Sequence, residues 1–201
     1  DPASTFIEAS VKIGRETVIY PYTWLEGTTE IGEDCEIGPN ARFTNVKIGD
    51  DNHLQFIYGH DCEVKNHVTA GPYVHLRPDT VISDHVKIGN YVEVKNSNVG
   101  EGTKLPHLHL HGDTSIAARL TWAAAASQST TTQEEAPHRY SDNAFVGCNT
   151  NLVAPVTVQA NTYIGTGSTI TKEVPENALG IARARQKNIE GWAEKYRNED
   201  K

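Results

Sequence analysis

The chain has 201 residues, of which 37% are apolar and 16 are glycine, and its formal net charge is −8 at pH 7. This length suits one long domain or two small ones. The negative charge argues against nucleic acid or an anionic membrane as a partner, because the overall field would repel both. With no signal peptide and no apolar run near the roughly 18 residues of a membrane span, the sequence predicts a cytoplasmic protein.

Two residue types add to this first description. Methionine is absent and the chain starts at Asp1-Pro2, which indicates a fragment or a processed product. The three cysteines, Cys35, Cys62 and Cys148, are scattered, and they form neither a CxxC pair nor a disulfide framework.

The strongest pattern is an apolar residue at every sixth position. Over residues 1–49 the series is Ile7, Ile13, Ile19, Leu25, Ile31, Ile37 and Phe43. A small or β-branched residue follows four places after the first six of them, at Val11, Thr17, Thr23, Thr29, Cys35 and Ala41. A period of six fits neither an α-helix nor an amphipathic strand, and it is typical of the parallel β-helix built from hexapeptides. Such coils bury their core by stacking on one another.

The series is interrupted twice before it ends. Residues 50–70 blur it, which predicts an irregular coil or a small loop, and residues 107–142 lose it. It returns at Leu76, Ile82, Ile88 and Val94, and again at Val146, Leu152, Val158, Ile164 and Ile170. The sequence therefore predicts an all-β fold with a parallel β-helix over residues 1–173. A C-terminal arm over 174–201, with a short helix around 187–197, is predicted to follow.

Several segments resemble one known family. They are DPASTFIE, TVIYPYTWLEGTTEIGEDCEIGPN, GPYVHLRPDT, VKIGNYVEVKNS, VGEGTK, LVAPVTV and GSTITKEVPENALGIARARQKNIEGW. Over nearly the whole chain these resemble the C-terminal half of the bifunctional bacterial N-acetylglucosamine-1-phosphate uridyltransferase / glucosamine-1-phosphate acetyltransferases. The Gly-rich nucleotide loop of that family's N-terminal half has no counterpart here.

The resemblance implies a left-handed β-helix, against the usual right-handed crossover, and a homotrimer. It also implies an enzyme that moves acetyl from acetyl-CoA to the amine of glucosamine 1-phosphate. The product, N-acetylglucosamine 1-phosphate, would feed UDP-N-acetylglucosamine synthesis, and hence peptidoglycan and lipopolysaccharide. Mg would be needed only if a uridyltransferase half were attached, and no metal ligand is expected in this half.

The resemblance also implies roles for individual residues. His107 in KLPHLHLHGD matches the family's general base, and a neutral imidazole near pH 7 suits that role. Arg77 and Lys95 match the family's phosphate-binding pair. They are eighteen residues apart, one turn of three hexapeptides, so they should lie on the same face of adjacent coils. An Arg fork and a Lys point charge together suit a phosphate.

For acetyl-CoA the family uses the later coils. Cys148 stands where the family usually has serine, and Thr166 stands where alanine is common. Only backbone contacts carry over safely at these two positions. Arg183 in IARAR matches a family arginine that is expected to meet the phosphates of CoA.

The family pattern fails between residues 109 and 141. Leu110 stands at the position of a family tyrosine and Thr121 at that of an asparagine. Thr130, Thr131 and Thr132 replace an Asn-Tyr-Asp triplet, and the region of a family lysine reads QEEAPHRYS, including Glu135. Taken literally, the chain has lost these sugar-binding side chains.

The genetic code offers an explanation for this failure. Read one base back, the codons of TWAAAASQSTTT permit NLGGGSITVNYD, and in the remaining frame those of QEEAPHRY permit KKKHRTVI. HLHLH can likewise arise from HLTYI. We therefore interpret residues 109–111 and 117–141 as frame-shifted text, and we expect the literal segment to break the core register.

Two other functions are open at this point. His107, His109 and His111 alternate, so on a strand they would share one face and could bind zinc, as the similar γ-class carbonic anhydrases do. The chain could instead be a catalytically dead trimeric β-helix scaffold.

Overall fold

The structure of the protein is a computed structural model that describes residues 1–130 and 138–193. The chain winds into a parallel β-helix with three sides, and each coil contributes one short strand to each side. A 3-10 turn at Pro2–Ser4 precedes the first coil. Strands are numbered below in chain order, and they are grouped by the side on which they lie.

The first side contains β1 (Thr5–Ile7), β4 (Thr23–Glu26), β7 (Ala41–Thr44), β10 (Ile57–His60), β13 (Val74–Leu76), β20 (Ser127–Thr130), β23 (Asn151–Ala154) and β26 (Thr169–Ile170). The second contains β2 (Lys12–Ile13), β5 (Glu30–Ile31), β8 (Lys47–Ile48), β11 (Glu63–Val64), β14 (Val81–Ile82), β16 (Asn98–Val99), β18 (Thr114–Ile116), β21 (His138–Tyr140) and β24 (Thr157–Val158). The third contains β3 (Val18–Ile19), β6 (Glu36–Ile37), β9 (His53–Leu54), β12 (Thr69–Ala70), β19 (Thr121–Trp122), β22 (Phe145–Val146), β25 (Tyr163–Ile164) and β27 (Leu179–Gly180). Two long strands, β15 (Lys87–Lys95) and β17 (Lys104–Gly112), turn the corner from the third side to the first.

The hexad residues form the core, as the sequence predicted. The buried members are Leu25, Ile31, Ile37, Phe43, Leu76, Ile82, Ile88, Val94, Val146, Leu152, Val158, Ile164 and Ile170. Burying such a side chain contributes about 1.5–3 kcal/mol, so the repeat itself supplies most of the driving force. Ile7 and Ile13 are exposed because their coil, the first of the chain, stacks on a following coil only. Cys35 is buried, and burial raises the pKa of its thiol.

Most corners contain a residue with positive φ, which asparagine and aspartate tolerate better than most side chains. Along the edge between the second and third sides, polar side chains also link successive coils. Asp50 accepts a hydrogen bond from the Glu33 backbone N–H, Asn66 from that of Asp50, and Asp84 from that of Asn66, each at 2.8 Å. The last of these bonds lowers the pKa of the Asp84 carboxyl.

Residues 50–70 do not form the irregular coil that the sequence predicted. They form β9, β10, β11 and β12 in normal register, with Leu54, Ile57, Val64 and Ala70 buried. The hexad series is blurred because this coil is shorter: Asn45 and Asp61, which occupy the same corner of adjacent coils, are 16 residues apart rather than 18. The prediction was wrong because shortening a corner shifts the sequence period without changing the strand pairing.

Residues 107–142 also keep the coil where the structure describes them, although the sequence predicted a broken register. Residues in matching positions of adjacent coils are 17 apart in the sequence for Asn96 and Asp113, but 24 apart for Ser127 and Asn151. The extra length includes residues 131–137, which lie outside the described part, as do Thr131, Thr132 and Glu135. On the first side, β20, β23 and β26 form a separate three-stranded sheet, so the ladder of that side is interrupted between β17 and β20.

The chain stays attached to the solenoid beyond residue 173. Val174 forms a parallel bridge with Val158, and β27 pairs with β25. Residues 187–191 are not helical, and a helical turn begins at residues 192–193, at the end of the described chain. Across the described residues, no helix has the length and apolarity needed to cross a membrane. The hand of the coil stays a prediction of the family resemblance.

Candidate functional site

Arg77 and Lys95 occupy matching positions on adjacent coils. Leu76 pairs with Val94, and the Arg77 backbone N–H donates to the Val94 carbonyl at 2.8 Å. The next residue on each strand is therefore a neighbour of the other, and both side chains point outward and are partly exposed. The predicted stacking of these two cations is confirmed, while their role as a phosphate clamp stays a prediction.

Each of the two cations meets a carboxylate of a neighbouring coil. Arg77 Nη1 lies 2.9 Å from Glu93 Oε1, and Lys95 Nζ lies 3.8 Å from Asp113 Oδ2. All four side chains are 27–43% exposed, so solvent screens both pairs and a phosphate could replace the carboxylates at small cost. Sequence reasoning missed Glu93 and Asp113. Glu93 was accessible to it, because in VEVK it lies two residues before Lys95 and so on the same face.

His107 lies one corner away from this pair. It is an exposed residue of β17 that pairs with Asn90 of β15, whereas Lys95 pairs with Gly112 at the far end of β17. Between His107 and Gly112 the chain turns at Leu108, which has a φ of 54°. The three predicted residues thus lie on neighbouring strands, with His107 just before the corner at Leu108 and the two cations at the opposite end of the first side, next to the corners at Asp79 and Asn96.

The edge at Leu108, where the third side meets the first, is called the 3–1 edge below. Its corner residues with positive φ include Tyr73, Tyr91, Leu108, Asn149 and Gly167. His107, Cys148 and Thr166 each immediately precede one of these corners. They are therefore in equivalent positions on successive coils, apart from the coil of Ala124, which lies between the first two.

Backbone hydrogen bonds link this series of residues along the 3–1 edge. The Ala125 N–H donates to the His107 carbonyl at 3.4 Å, and the Asn149 N–H donates to the Ala124 carbonyl at 3.1 Å. The Gly167 N–H donates to the Cys148 carbonyl at 2.9 Å. Arg183 Nη1 donates to the Thr166 carbonyl at 2.7 Å. The structure thus brings Cys148, Thr166 and Arg183 together on one edge that also carries His107, a juxtaposition that the sequence did not predict.

The alternating histidines do not share a face. Because Leu108 turns the corner, His107 points to solvent, whereas His109 and His111 are 3% and 1% exposed and point into the core. Within the described ranges no group of three or more His, Cys, Asp or Glu residues could hold a metal ion. The alternation on which the zinc hypothesis depended is therefore wrong.

Between residues 109 and 141, where the family pattern fails, the described part of the interior is unusually polar. His109, His111, Trp122, His138 and Tyr140 are all buried, and their rings contact one another, with 4.7 Å between the His111 and Trp122 centroids. Among the residues that the structure describes, each of the five has at least one buried side-chain polar atom with no hydrogen-bond partner. Elsewhere in the described chain such atoms occur only at Thr23 and His75. Native cores rarely leave buried polar atoms unpaired. Here most of the unpaired atoms lie in the segment that the codon argument singled out.

The positions of the missing sugar contacts can be located in part. Leu110 pairs with Glu93, the partner of Arg77. Thr121 is half-buried between Lys104 and Phe145 on the third side. Thr130 ends β20, and Thr131 and Glu135 lie outside the described residues.

Comparison with known proteins agrees with this architecture. Residues 61–96 match the family described as bacterial transferase hexapeptide (six repeats). The chain is also similar to LpxA of Acinetobacter baumannii, with a TM-score of 0.54 and 14% identity over 88% of this chain and 69% of that one. The fold is therefore that of the hexapeptide-repeat β-helix proteins.

Sequence relatives are more specific. The chain is 47% identical to the bifunctional protein GlmU of Geobacillus sp. strain WCH70 over 97% of this chain and 43% of the relative. It is 46% identical to that of Listeria monocytogenes over the whole of this chain and 44% of the relative. The chain is thus similar to the GlmU proteins over nearly all of its own length and spans less than half of theirs, consistent with the single half of a bifunctional protein that the sequence predicted.

Proposed function

We propose that this chain transfers acetyl from acetyl-CoA to the amine of glucosamine 1-phosphate, giving N-acetylglucosamine 1-phosphate. The observation that carries the proposal is the 3–1 edge. Along it, an exposed histidine is followed by the predicted CoA residues, and two stacked cations lie on neighbouring strands at the far end of the first side. The use of acetyl-CoA also favours a cytoplasmic location.

In this proposal the sugar phosphate replaces Glu93 and Asp113 as the partner of Arg77 and Lys95. His107 takes a proton from the sugar ammonium, and the neutral amine attacks the thioester carbonyl. Backbone N–H groups of the later coils stabilise the oxyanion. The carbon–sulfur bond then breaks, and the thiolate of CoA leaves and takes up the second proton of the attacking nitrogen, which gives the amide and the free thiol. Arg183 would hold the CoA phosphates at the far end of the edge, about 19 Å from His107 at about 4.8 Å per coil.

The test of the reaction is release of free CoA thiol with glucosamine 1-phosphate as acceptor. In the His107→Asn variant we expect kcat to fall by about 10²–10⁴-fold, the usual contribution of a general base, with little change in KM. His85→Asn is the matched control, because His85 is an exposed residue on a different edge. Equal kcat values for His107→Asn and the native chain would exclude His107 as the base.

The frame-shift interpretation makes a prediction about turnover, by comparing the chain as its sequence stands with a frame-corrected chain. We propose that residues 109–111 and 117–141 are out of frame, which the concentration of unpaired buried polar atoms in that segment supports. A frame-corrected chain should regain its sugar contacts and turn over at least tenfold faster, since each charged or buried hydrogen bond is worth about 1–3 kcal/mol. The nucleotide sequence across residues 104–145 tests the interpretation directly. If neither chain releases CoA, the dead-scaffold alternative is favoured.

We also propose that the chain forms a homotrimer in which the 3–1 edge is an interface. Tyr22, Phe56, Tyr73, Tyr91 and Leu108 all have positive φ on this edge, a conformation that costs about 1–2 kcal/mol for a bulky residue. Tyr22, Tyr73 and Tyr91 are nevertheless 55% exposed. At the other two edges most of these positions carry Asp, Asn or Gly. Burial of the aromatic rings against a second copy of the chain would offset the backbone cost and would form the site between subunits.

A further inference from the structure

His60 extends the stack of Arg77 and Lys95 by one coil. Gly59 pairs with Leu76, and Leu76 pairs with Val94, so the residues that follow, His60, Arg77 and Lys95, form one outward-facing column. Adjacent members are about 4.8 Å apart along the solenoid. Neither the hexad pattern nor the family resemblance pointed to His60.

We propose that His60 is a third phosphate-contacting residue, and that it helps to select phosphorylated over unphosphorylated amino sugars. This inference rests on the proposed function, because it assigns His60 to the same sugar-phosphate site. A phosphate seated on Arg77 presents three oxygens, and the side chains on either side of Arg77 in this column are those of His60 and Lys95.

The His60 ring is already oriented for such a contact. It stacks on Tyr58 with 5.3 Å between centroids, and it lies 6.0 Å from the ring of His75 on the next coil. Its Nδ1 atom is 3.4 Å from Asp61 Oδ2. Because the contact with Asp61 uses Nδ1, Nε2 is the remaining ring nitrogen, and it can donate to a phosphate oxygen when both nitrogens carry a proton. The side chain is 28% exposed, so a ligand can reach it.

The charged and titratable groups around His60 determine how its contribution depends on pH. On its own coil these are Tyr58 and Asp61, on the following coil His75 and Arg77, and on the preceding coil Arg42; Glu26, which accepts from Thr44, lies two coils back. Burial lowers the pKa of His75, so His75 stays neutral near pH 7 and does not compete as a cation. A phosphate dianion attracts an imidazolium more strongly than a neutral imidazole, so a histidine contact in this column should strengthen as pH falls.

The kinetic test compares His60→Ala with the native protein. We expect KM for glucosamine 1-phosphate to rise about fivefold at pH 6.5 and about twofold at pH 8, as for a partly exposed charged contact, with kcat unchanged. His60→Gln should give a smaller rise that does not depend on pH. His85→Ala, on another edge, should change neither constant. Equal KM values for His60→Ala and the native protein at both pH values would overturn the inference.

A binding test separates this inference from the proposed function. Glucose 1-phosphate has the phosphate but no amine, so it can bind without reacting. Proton NMR of the native protein should show a change in the chemical shifts of the His60 ring when glucose 1-phosphate is added, and no change when glucose is added. If His60 responds but glucosamine 1-phosphate is not acetylated, the proposed function fails and the phosphate site stands. If acetylation occurs and His60 does not respond, only the role of His60 is wrong.

Discussion

Arg77 is the residue on which substrate binding depends most in this proposal. Its guanidinium faces Glu93 at 2.9 Å, and it is flanked in its column by His60 and Lys95. A guanidinium can donate two parallel hydrogen bonds to a phosphate, which an ammonium cannot. Arginine should therefore be required here for geometry as well as for charge.

We predict that Arg77→Ala raises KM for glucosamine 1-phosphate by about 10–100-fold, corresponding to the loss of about 1.5–3 kcal/mol for charged hydrogen bonds. Arg77→Lys should restore only part of this. The matched control is Arg42→Ala, since Arg42 lies on the same side and is likewise paired with a carboxylate, that of Glu26 at 2.8 Å. Steady-state kinetics measure both, and a similar KM for the two alanine variants would contradict the clamp.

A substitution at Cys148 tests whether acetyl-CoA contacts only the backbone at this position. The residue is exposed, and its carbonyl, not its thiol, bonds to the next coil. We predict that Cys148→Ser keeps KM for acetyl-CoA and kcat within about twofold of the native values. A tenfold change in either constant would show that the thiol itself contacts the co-substrate.

At the scale of an element, the segment from β17 to β21 differs from the other described coils because its core contains buried histidines. Burial lowers the pKa values of His109, His111 and His138, that of His111 to about 3. Residues of β18, β19 and β21 nevertheless pair with their neighbours in parallel register. Strand pairing here tolerates a core that is chemically unsuitable, because the backbone ladder does not depend on side-chain type.

These imidazoles should make folding stability depend on pH. In the folded chain they are neutral, whereas in the unfolded chain they take up protons below about pH 6.5. The unfolded state therefore binds more protons, and the free energy of unfolding should be highest above pH 6.5 and fall as pH drops toward 3. Each buried imidazole adds up to about 1.4 kcal/mol per pH unit. Urea denaturation between pH 7.5 and 4.5 measures this slope.

The variant His109→Thr/His111→Ile isolates the effect, because it restores the residues that the codon argument permits. We predict that it is more stable at pH 7 by about 1–3 kcal/mol, through removal of unpaired buried nitrogens. Its stability should also fall less steeply with decreasing pH. His67→Thr/His85→Ile is a useful control, because these two stacked imidazoles lie on an outer edge. A double variant less stable than the native chain would argue that the literal segment is the native one.

At the scale of the whole molecule, the 3–1 edge combines exposed aromatic residues with the proposed site. Tyr73 and Tyr91 stack with 5.0 Å between ring centroids, and Phe56 packs on Tyr73 at 5.6 Å. Tyr22, Trp24, Phe56, Tyr58 and Tyr73 also line an open groove of about 870 Å³. Such an apolar surface suits burial between subunits.

We predict that Tyr73→Asp/Tyr91→Asp converts the trimer to monomers and reduces activity at the same time, because the site would be assembled between subunits. Sedimentation velocity or light scattering gives the mass, and circular dichroism shows whether the coil is intact. Lys47→Asp, an exposed change on the second side, should leave the mass at three times that of the chain. A native protein that is monomeric at assay concentration would contradict both the interface and its link to activity.

The sequence predicted the parts of this protein that depend on local periodicity. The hexad places Leu25 or Val94 in the core wherever coils stack, since each side-chain position repeats with the coil. It failed at residues 50–70, where a shortened coil changes the period and not the pairing. It also failed at the alternating histidines, because a corner at Leu108 reverses the face that an uninterrupted strand would give.

The amino-acid sequence by itself determined the β-helix and, through the eighteen-residue spacing, the stacking of Arg77 on Lys95. Only the tertiary structure decided that His107, Cys148, Thr166 and Arg183 line one edge. Only it decided that His60 completes a basic column. The physical reason is that register between coils depends on the length of every corner, which is decided when coils stack and not within a single repeat.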